Sequence, residues 1–206
     1  MHATSPRTPM LKPGVKLYYA RHGETDWNKD QRYQGQRDIP LNAKGRNQAS
    51  GNGRTLAAAL GAAAASLDYV ASPLHRARET MEIMRRELGA APGSYRTDAR
   101  LAEVHYGHWE GELWTELHAR DPEGFAAREA DKWGWRPRGG ESYQDLSARV
   151  AGWLADVERD AVVVAHGGVM RVLRGLILGL RPAQIFALDV PQDKVLVVEA
   201  GRTHWL

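Results

Sequence analysis

The chain reads as an α/β sandwich with a mostly parallel central sheet, and three observations predict it. Residues 15–20, 67–71 and 161–165 are short apolar runs of strand length. Each is followed by a polar or glycine-bearing turn and then by a stretch with helical periodicity, the alternation that builds parallel sheets covered on both faces. The pattern also recurs in detail: Arg21-His22-Gly23 follows the first run, and His166-Gly167-Gly168 follows the last. Open sheets of this kind present ligands at the carboxyl ends of their strands, so both histidines are placed where chemistry is expected.

Taken in order, the other elements have their own warrants. Residues 1–14 carry three prolines among Ser, Thr and Lys, offer no face to bury, and are expected to form a flexible leader to a single domain over 15–206. Residues 31–42 are polar, with Gly35 and Pro40, and predict a surface loop running into a helix capped near Asn42. The alanine-rich residues 43–64 have helical spacing, although Gly51 and Gly53 each cost about 1 kcal/mol relative to alanine in a helix. Ser72-Pro73 opens a helix over 74–88 that puts Arg76 in its first turn, where a helix N-terminus favours an anion. Residues 101–111 mix apolar anchors, glycines, Glu103 and two histidines, which is a loop held by aromatics.

Residues 114–138 give two short helical stretches broken at Asp121-Pro122, followed by Trp133-Gly134-Trp135-Arg136-Pro137-Arg138. They predict a small cap within about residues 105–140, its tryptophans serving either the substrate or packing. Ser142 and Asp145 start an amphipathic helix reaching about Arg159, with Leu146, Val150, Trp153, Leu154 and Val157 on its apolar face. After a helix over 169–178, residues 195–198 predict an edge strand and residues 203–206 one more.

Composition removes several function classes. No apolar run reaches membrane-span length and residues 1–12 lack a signal-peptide core, so a cytoplasmic protein with no membrane partner is expected. With no cysteine there are no disulfides, no thiolate metal sites and no cysteine-phosphatase chemistry. The net charge of +3 comes from scattered arginines without a basic run or a helix-turn-helix or zinc-finger spacing, which argues against a nucleic-acid partner. There is no P-loop, dinucleotide fingerprint or internal repeat.

What remains points to phosphoryl chemistry. Imidazole is nucleophilic near neutral pH, and Arg21 beside His22 can hold phosphate oxygens in a bidentate fork. Arg76 is a candidate for a second clamp. The plainer alternative for His22 is a hydrogen-bonded structural histidine. A zinc site built from His22, His166, His105 and His108 is the other competitor, disfavoured because Arg21 repels a dication and the expected ligand convergence is demanding.

The ordered set Arg21-His22-Gly23-Glu24-Thr25 with Trp27-Asn28, Gln34-Gly35 to Pro40-Leu41, Ser72-Pro73-Leu74 to Thr80, Leu101-Ala102-Glu103 to Gly111, and Ala165-His166-Gly167-Gly168 resembles the histidine phosphatase superfamily of phosphoglycerate-mutase-like fold. The resemblance spans nearly the whole chain after the leader. It implies a three-layer α/β/α sandwich with a helical cap insertion, a phosphohistidine formed on His22, and Arg21, Arg76 and His166 around the phosphoryl oxygens. It also implies Glu103 as general acid and then base, with Asn28, Gln34, Gly167, Tyr106 and His108 binding phosphate or substrate. No metal or cofactor is implied. The expected partner is a small phosphomonoester and, at most, a second copy of the chain forming a homodimer. A cofactor-dependent phosphoglycerate mutase is the alternative within the family, and a non-catalytic phospho-ligand-binding relative the alternative outside enzymes. Val104 after Glu103, where the mutases carry arginine, and a cap without tandem arginines favour the phosphatase.

Overall fold

The structure, a computed structural model, describes residues 11–206. In chain order these form β1 (Lys16–Arg21), α1 (Asp26–Lys29), α2 (Ala43–Leu60), β2 (Asp68–Ala71), α3 (His75–Glu87), β3 (Arg96–Thr97), α4 (Leu117–Arg120), α5 (Pro122–Ala130), α6 (Tyr143–Ala155), β4 (Ala161–Ala165), α7 (Gly167–Leu178), α8 (Pro182–Phe186), β5 (Val195–Glu199) and β6 (Arg202–Trp205). The strands make one sheet in the order β3-β2-β4-β1-β5-β6. The first four in that order run parallel, and β5 pairs antiparallel with both β1 and β6.

Strand alternation decides which residue faces which layer. Leu17 and Tyr19 of β1, with Val163 and Ala165 of β4, pack on Leu146, Val150, Trp153 and Leu154 of α6 and on α7. Ala20, Val162 and Val164 face the other way, onto Leu56 of α2 and Ala77, Met81 and Met84 of α3. A strand buried on both sides reads as an unbroken apolar run, as β4 does. The result is the expected three-layer α/β/α sandwich.

Asn42 caps α2 by accepting from Gly45 N, and Ser142 forms a capping box with Asp145 at the start of α6. β5 corrects the expected edge strand: β6 continues the sheet outside it, and Pro191, which suggested an edge, lies in the preceding loop. The two-residue β3 supplies the opposite edge. Of the expected leader, residues 1–10 lie outside the described residues. Leu11 is buried against the core and Lys12 pairs with Glu158, so the packed part of the chain already includes Leu11. Among the described residues no helix is long and apolar enough to cross a membrane.

Gly51 and Gly53, in the middle of α2, have different reasons. A Cβ on Gly53 would lie 2.9 Å from Met84 Cα and 2.8 Å from Glu87 Cβ, so glycine lets α2 and α3 approach closely. At Gly51 a Cβ would meet nothing nearer than 3.9 Å. Gly51→Ala is therefore expected to raise stability by about 0.5–1 kcal/mol through helix propensity. Gly53→Ala should lower it by about 1 kcal/mol or more through overpacking. Urea midpoints of the two variants check this, and opposite shifts are the expected outcome.

Candidate active site

The site exists because three loops meet at one end of adjacent strands. His22 N donates to Ala165 O at 2.9 Å and Ser72 N donates to Val164 O at 2.9 Å, which ties the loops after β1, β2 and β4 together. Tyr19 adds a clamp from below. Its hydroxyl donates to His166 O at 2.7 Å and accepts from His166 N at 2.9 Å, fixing the residue that caps α7. Above this floor is a cavity of about 230 Å³.

His22 lines it and is only 2% exposed. Its Nδ1 lies 2.8 Å from Gly23 O. A carbonyl can only accept, so Nδ1 carries the proton and Nε2 keeps its lone pair. Burial, then the charges of Arg76 and Arg21, hold the imidazole well below its usual protonation range. It is a neutral imidazole of one tautomer, the form a nucleophile requires.

The two arginines beside it are held by backbone carbonyls. Arg76 is fully buried and donates to Arg37 O and Gly35 O, both at 2.7 Å, and its Nε–H reaches His22 Nε2 at 3.3 Å. Burial brings its pKa down to about 10, which still leaves it cationic near neutral pH. Its placement differs in one respect from expectation. The start of α3 is occupied by Asp38, whose carboxylate accepts from His75 N at 2.7 Å, so Arg76 acts through its side chain and not through the helix end. Arg21 donates to Val190 O at 2.8 Å, while its buried Nε has no protein partner. An unpaired buried guanidinium N–H bordering a cavity is a group prepared for an anion.

The second histidine stands behind the first, ring centroids 5.1 Å apart. His166 Nε2 lies 2.7 Å from Ser72 Oγ, and its Nδ1 is buried with no partner. Leu74 N also donates to Ser72 Oγ, so Ser72 joins the start of α3 to the His166 ring. Burial, then Arg76, keep this ring neutral too.

Glu103 and Gly167, Asn28, Gln34 and Tyr106 all line the same cavity. Glu103 is held by its two oxygens, which accept from Val104 N at 2.9 Å and Gly168 N at 3.2 Å. A side chain at Gly168 would collide with that carboxylate, which is why glycine follows Gly167. Arg149 supports the Glu103 loop from α6 by donating to Arg100 O and Glu103 O while paired with Glu141. Asn28 Oδ1 accepts from Thr25 N and from Gln192 Nε2, whose amide also reaches His22 O, so Asn28 has its NH₂ left for a ligand.

His108 is a correction. It lies outside the cavity, exposed, with Nε2 at 3.0 Å from Asp121 Oδ2. Asp121 also accepts from Trp109 Nε1 and caps α5 through Gly124 N, so the residue that ends α4 takes the histidine away from the site. His105 accepts from Gly107 N and does not reach the cavity, and the four histidines of the zinc reading do not converge. The cap tryptophans follow the packing reading: Trp133 packs on the core beside Phe186, and Trp135 stacks near Trp109 at 4.3 Å. Arg136 is tied to Asp145, and neither it nor Arg138 lines the cavity. Sequence reasoning missed Arg32, Tyr33, Tyr143 and Arg171, all of which line it.

The chain is 34% identical to the glucosyl-3-phosphoglycerate phosphatase of Mycobacterium tuberculosis over 84% of its own length and 79% of the relative's. It is 36% identical to the probable phosphoglycerate mutase GpmB of Salmonella paratyphi C, over 93% and 88%. The solved structure of a putative alpha-ribazole-5'-P phosphatase from Escherichia coli superposes with a TM-score of 0.77 at 26% identity, covering 93% of this chain and 94% of that one. Residues 17–206, which hold every side chain of the cavity, match one family over their full length, and the chain belongs to the histidine phosphatase superfamily, branch 1.

Proposed function

We propose that the protein hydrolyses a small phosphomonoester through a phosphohistidine on His22. The observation that carries this reading is the neutral, single-tautomer imidazole of His22, with its Nε2 lone pair beside Arg76 and the unpaired Nε of Arg21 on the same cavity. In the first step Nε2 attacks phosphorus as the ester P–O bond breaks, and Glu103 gives its proton to the leaving alkoxide. Arg21, Arg76, His166 and the Gly167 N–H surround the oxygens that carry the charge of the loose transition state. In the second step water attacks phosphorus, Glu103 takes its proton and the P–N bond breaks, releasing inorganic phosphate. The positive charge that a divalent ion supplies in other phosphoryl-transfer sites comes here from guanidinium groups. A small metabolite in the cytoplasm, without a nucleic-acid partner, remains part of this reading.

The relatives' names suggest two readings of the product. The mutase reading is favoured by the likeness to GpmB. Against it, Val104 is buried in the core, so no cation follows Glu103, and the cap arginines Arg120, Arg128 and Arg136 are each paired with a neighbouring carboxylate. With 3-phosphoglycerate as substrate and bisphosphoglycerate as primer, phosphate release is expected to outrun isomerisation, read by phosphorus NMR. Efficient isomerisation with negligible phosphate release selects the mutase. Hydrolysis of p-nitrophenyl phosphate should also persist in excess EDTA, and loss of activity restored by a divalent ion overturns the metal-free mechanism.

A further inference from the structure

We propose that the substrate bears a second anionic group beside its phosphoryl group, and that Arg32 and Arg171 bind it at the cavity rim. The proposal rests on the phosphatase reading and narrows its substrate to a class.

The first argument is charge. Four guanidinium groups, those of Arg21, Arg32, Arg76 and Arg171, line the cavity against a single carboxylate, Glu103. Both histidines are neutral and so add no charge to the cavity. A phosphomonoester dianion balances two of the four cations. The two that remain are not balanced by protein: within 4 Å of Arg32 and Arg171 there is no Asp or Glu oxygen among the described residues. Arg21, whose protonation is opposed chiefly by burial, also feels the like charge of Arg171 on the same cavity wall. Holding like charges together costs free energy in the empty site, and that cost is recovered when an anion binds between them.

The second argument is position. Each of the two is braced by one carbonyl, Arg32 Nη1 on Gly111 O at 2.8 Å and Arg171 Nε on Leu188 O at 3.3 Å. The brace aims the side chain and leaves other guanidinium N–H groups to bind. Arg32 and Arg171, with Arg21, also line an adjoining open basin of about 410 Å³ walled by Trp27 and by Trp114, which is 56% exposed. The phosphoryl site belongs to Arg21 and Arg76 beside His22, whereas Arg32 and Arg171 lie where the leaving group must pass to reach the basin. An anionic group on the leaving group, close to the ester oxygen, meets both.

The test compares leaving groups that differ by one charge. For wild-type enzyme, kcat/KM for 3-phosphoglycerate should exceed that for glycerol 3-phosphate, which has a hydroxymethyl group in place of the carboxylate, by at least about tenfold and chiefly through KM. Propane-1,3-diol bisphosphate against its monophosphate asks the same of a second phosphoryl group, so the two pairs separate a carboxylate from a phosphate. In the Arg32→Gln/Arg171→Gln double variant the favoured ratio should fall to within about threefold of unity. If the double variant does not fold, Arg171→Gln alone should lower the ratio at least threefold. Equal rates on both members of both pairs overturn the second-anion proposal and leave the phosphatase reading standing. A preference that survives the substitutions overturns the assignment to Arg32 and Arg171. Failure to hydrolyse any of these esters or p-nitrophenyl phosphate defeats the phosphatase reading itself.

Discussion

His22→Ala is expected to eliminate the phosphoenzyme and to lower kcat/KM for every phosphomonoester by roughly four decades or more, the scale on which removal of an essential nucleophile is felt. Rapid quench with labelled substrate should trap an acid-labile, alkali-stable adduct in the wild type and none in the variant. The size follows from the geometry: Gly23 O fixes the tautomer, burial and then the charges of Arg76 and Arg21 hold the ring neutral, and no other side chain on the cavity has that combination. An adduct that persists in His22→Ala moves the nucleophile elsewhere. Because the ring resists protonation, the fraction of competent His22 should remain high well below pH 6.5, so any acid limb above pH 6 has another origin.

The same burial has a stability consequence with a definite sign. His22 and His166 are both held neutral in the folded protein, while in the unfolded chain they titrate near pH 6.5. Below that value the unfolded state binds more protons, so stability falls as pH decreases from about 6.5 and is unaffected by these groups above it. Urea midpoints measured between pH 5 and pH 8 read this directly. Removing one of the two imidazoles should reduce the slope on the acid side.

The parts of the molecule that were legible in the sequence are those where local pattern and tertiary role coincide. β1 and β4 are apolar because both faces are covered, and the turn after each must carry a histidine and a glycine in a narrow space, so the motif is visible in one dimension. Ordered motifs then extended that reading to Arg76, Glu103 and Asn28. What stayed hidden was assembled by long-range contacts. Tyr19 reads as a core aromatic, yet its hydroxyl clamps His166 across 147 residues of sequence. Arg32 and Arg171 look like surface arginines until the fold sets them at the cavity. His108 failed for the opposite reason: a glycine- and aromatic-rich loop suggested a ligand, but the sequence gives no sign that Asp121 will fold back to take it. β3, two exposed residues long, has no alternation to read, and β5 reads as an edge only because Pro191 lies close before it, in a loop that takes no part in the sheet.

Glu103→Gln should separate the two leaving-group classes. A general acid matters in proportion to how badly the leaving group needs a proton, and positioned proton transfer typically contributes 10²–10⁴-fold. An alkyl alkoxide needs that proton and a nitrophenolate hardly does. For a glycerate or sugar phosphate kcat/KM should therefore fall by roughly two decades or more, while the nitrophenolate burst from p-nitrophenyl phosphate falls far less. The structure adds a complication that the design must cancel. Both Glu103 oxygens accept backbone N–H groups, from Val104 and Gly168, so a glutamine presents its NH₂ to one of them and shifts. Arg149 holds the Glu103 carbonyl and limits that movement to the side chain. Any displacement acts on both substrates alike, and only the lost proton distinguishes them, so the ratio of the two losses carries the result. The burst must be read because the later hydrolysis step also depends on Glu103 as base and would mask the difference at steady state. Equal losses in the first step would make Glu103 a binding or orienting group. The proton would then have to come from His166, whose buried Nδ1 has no protein partner.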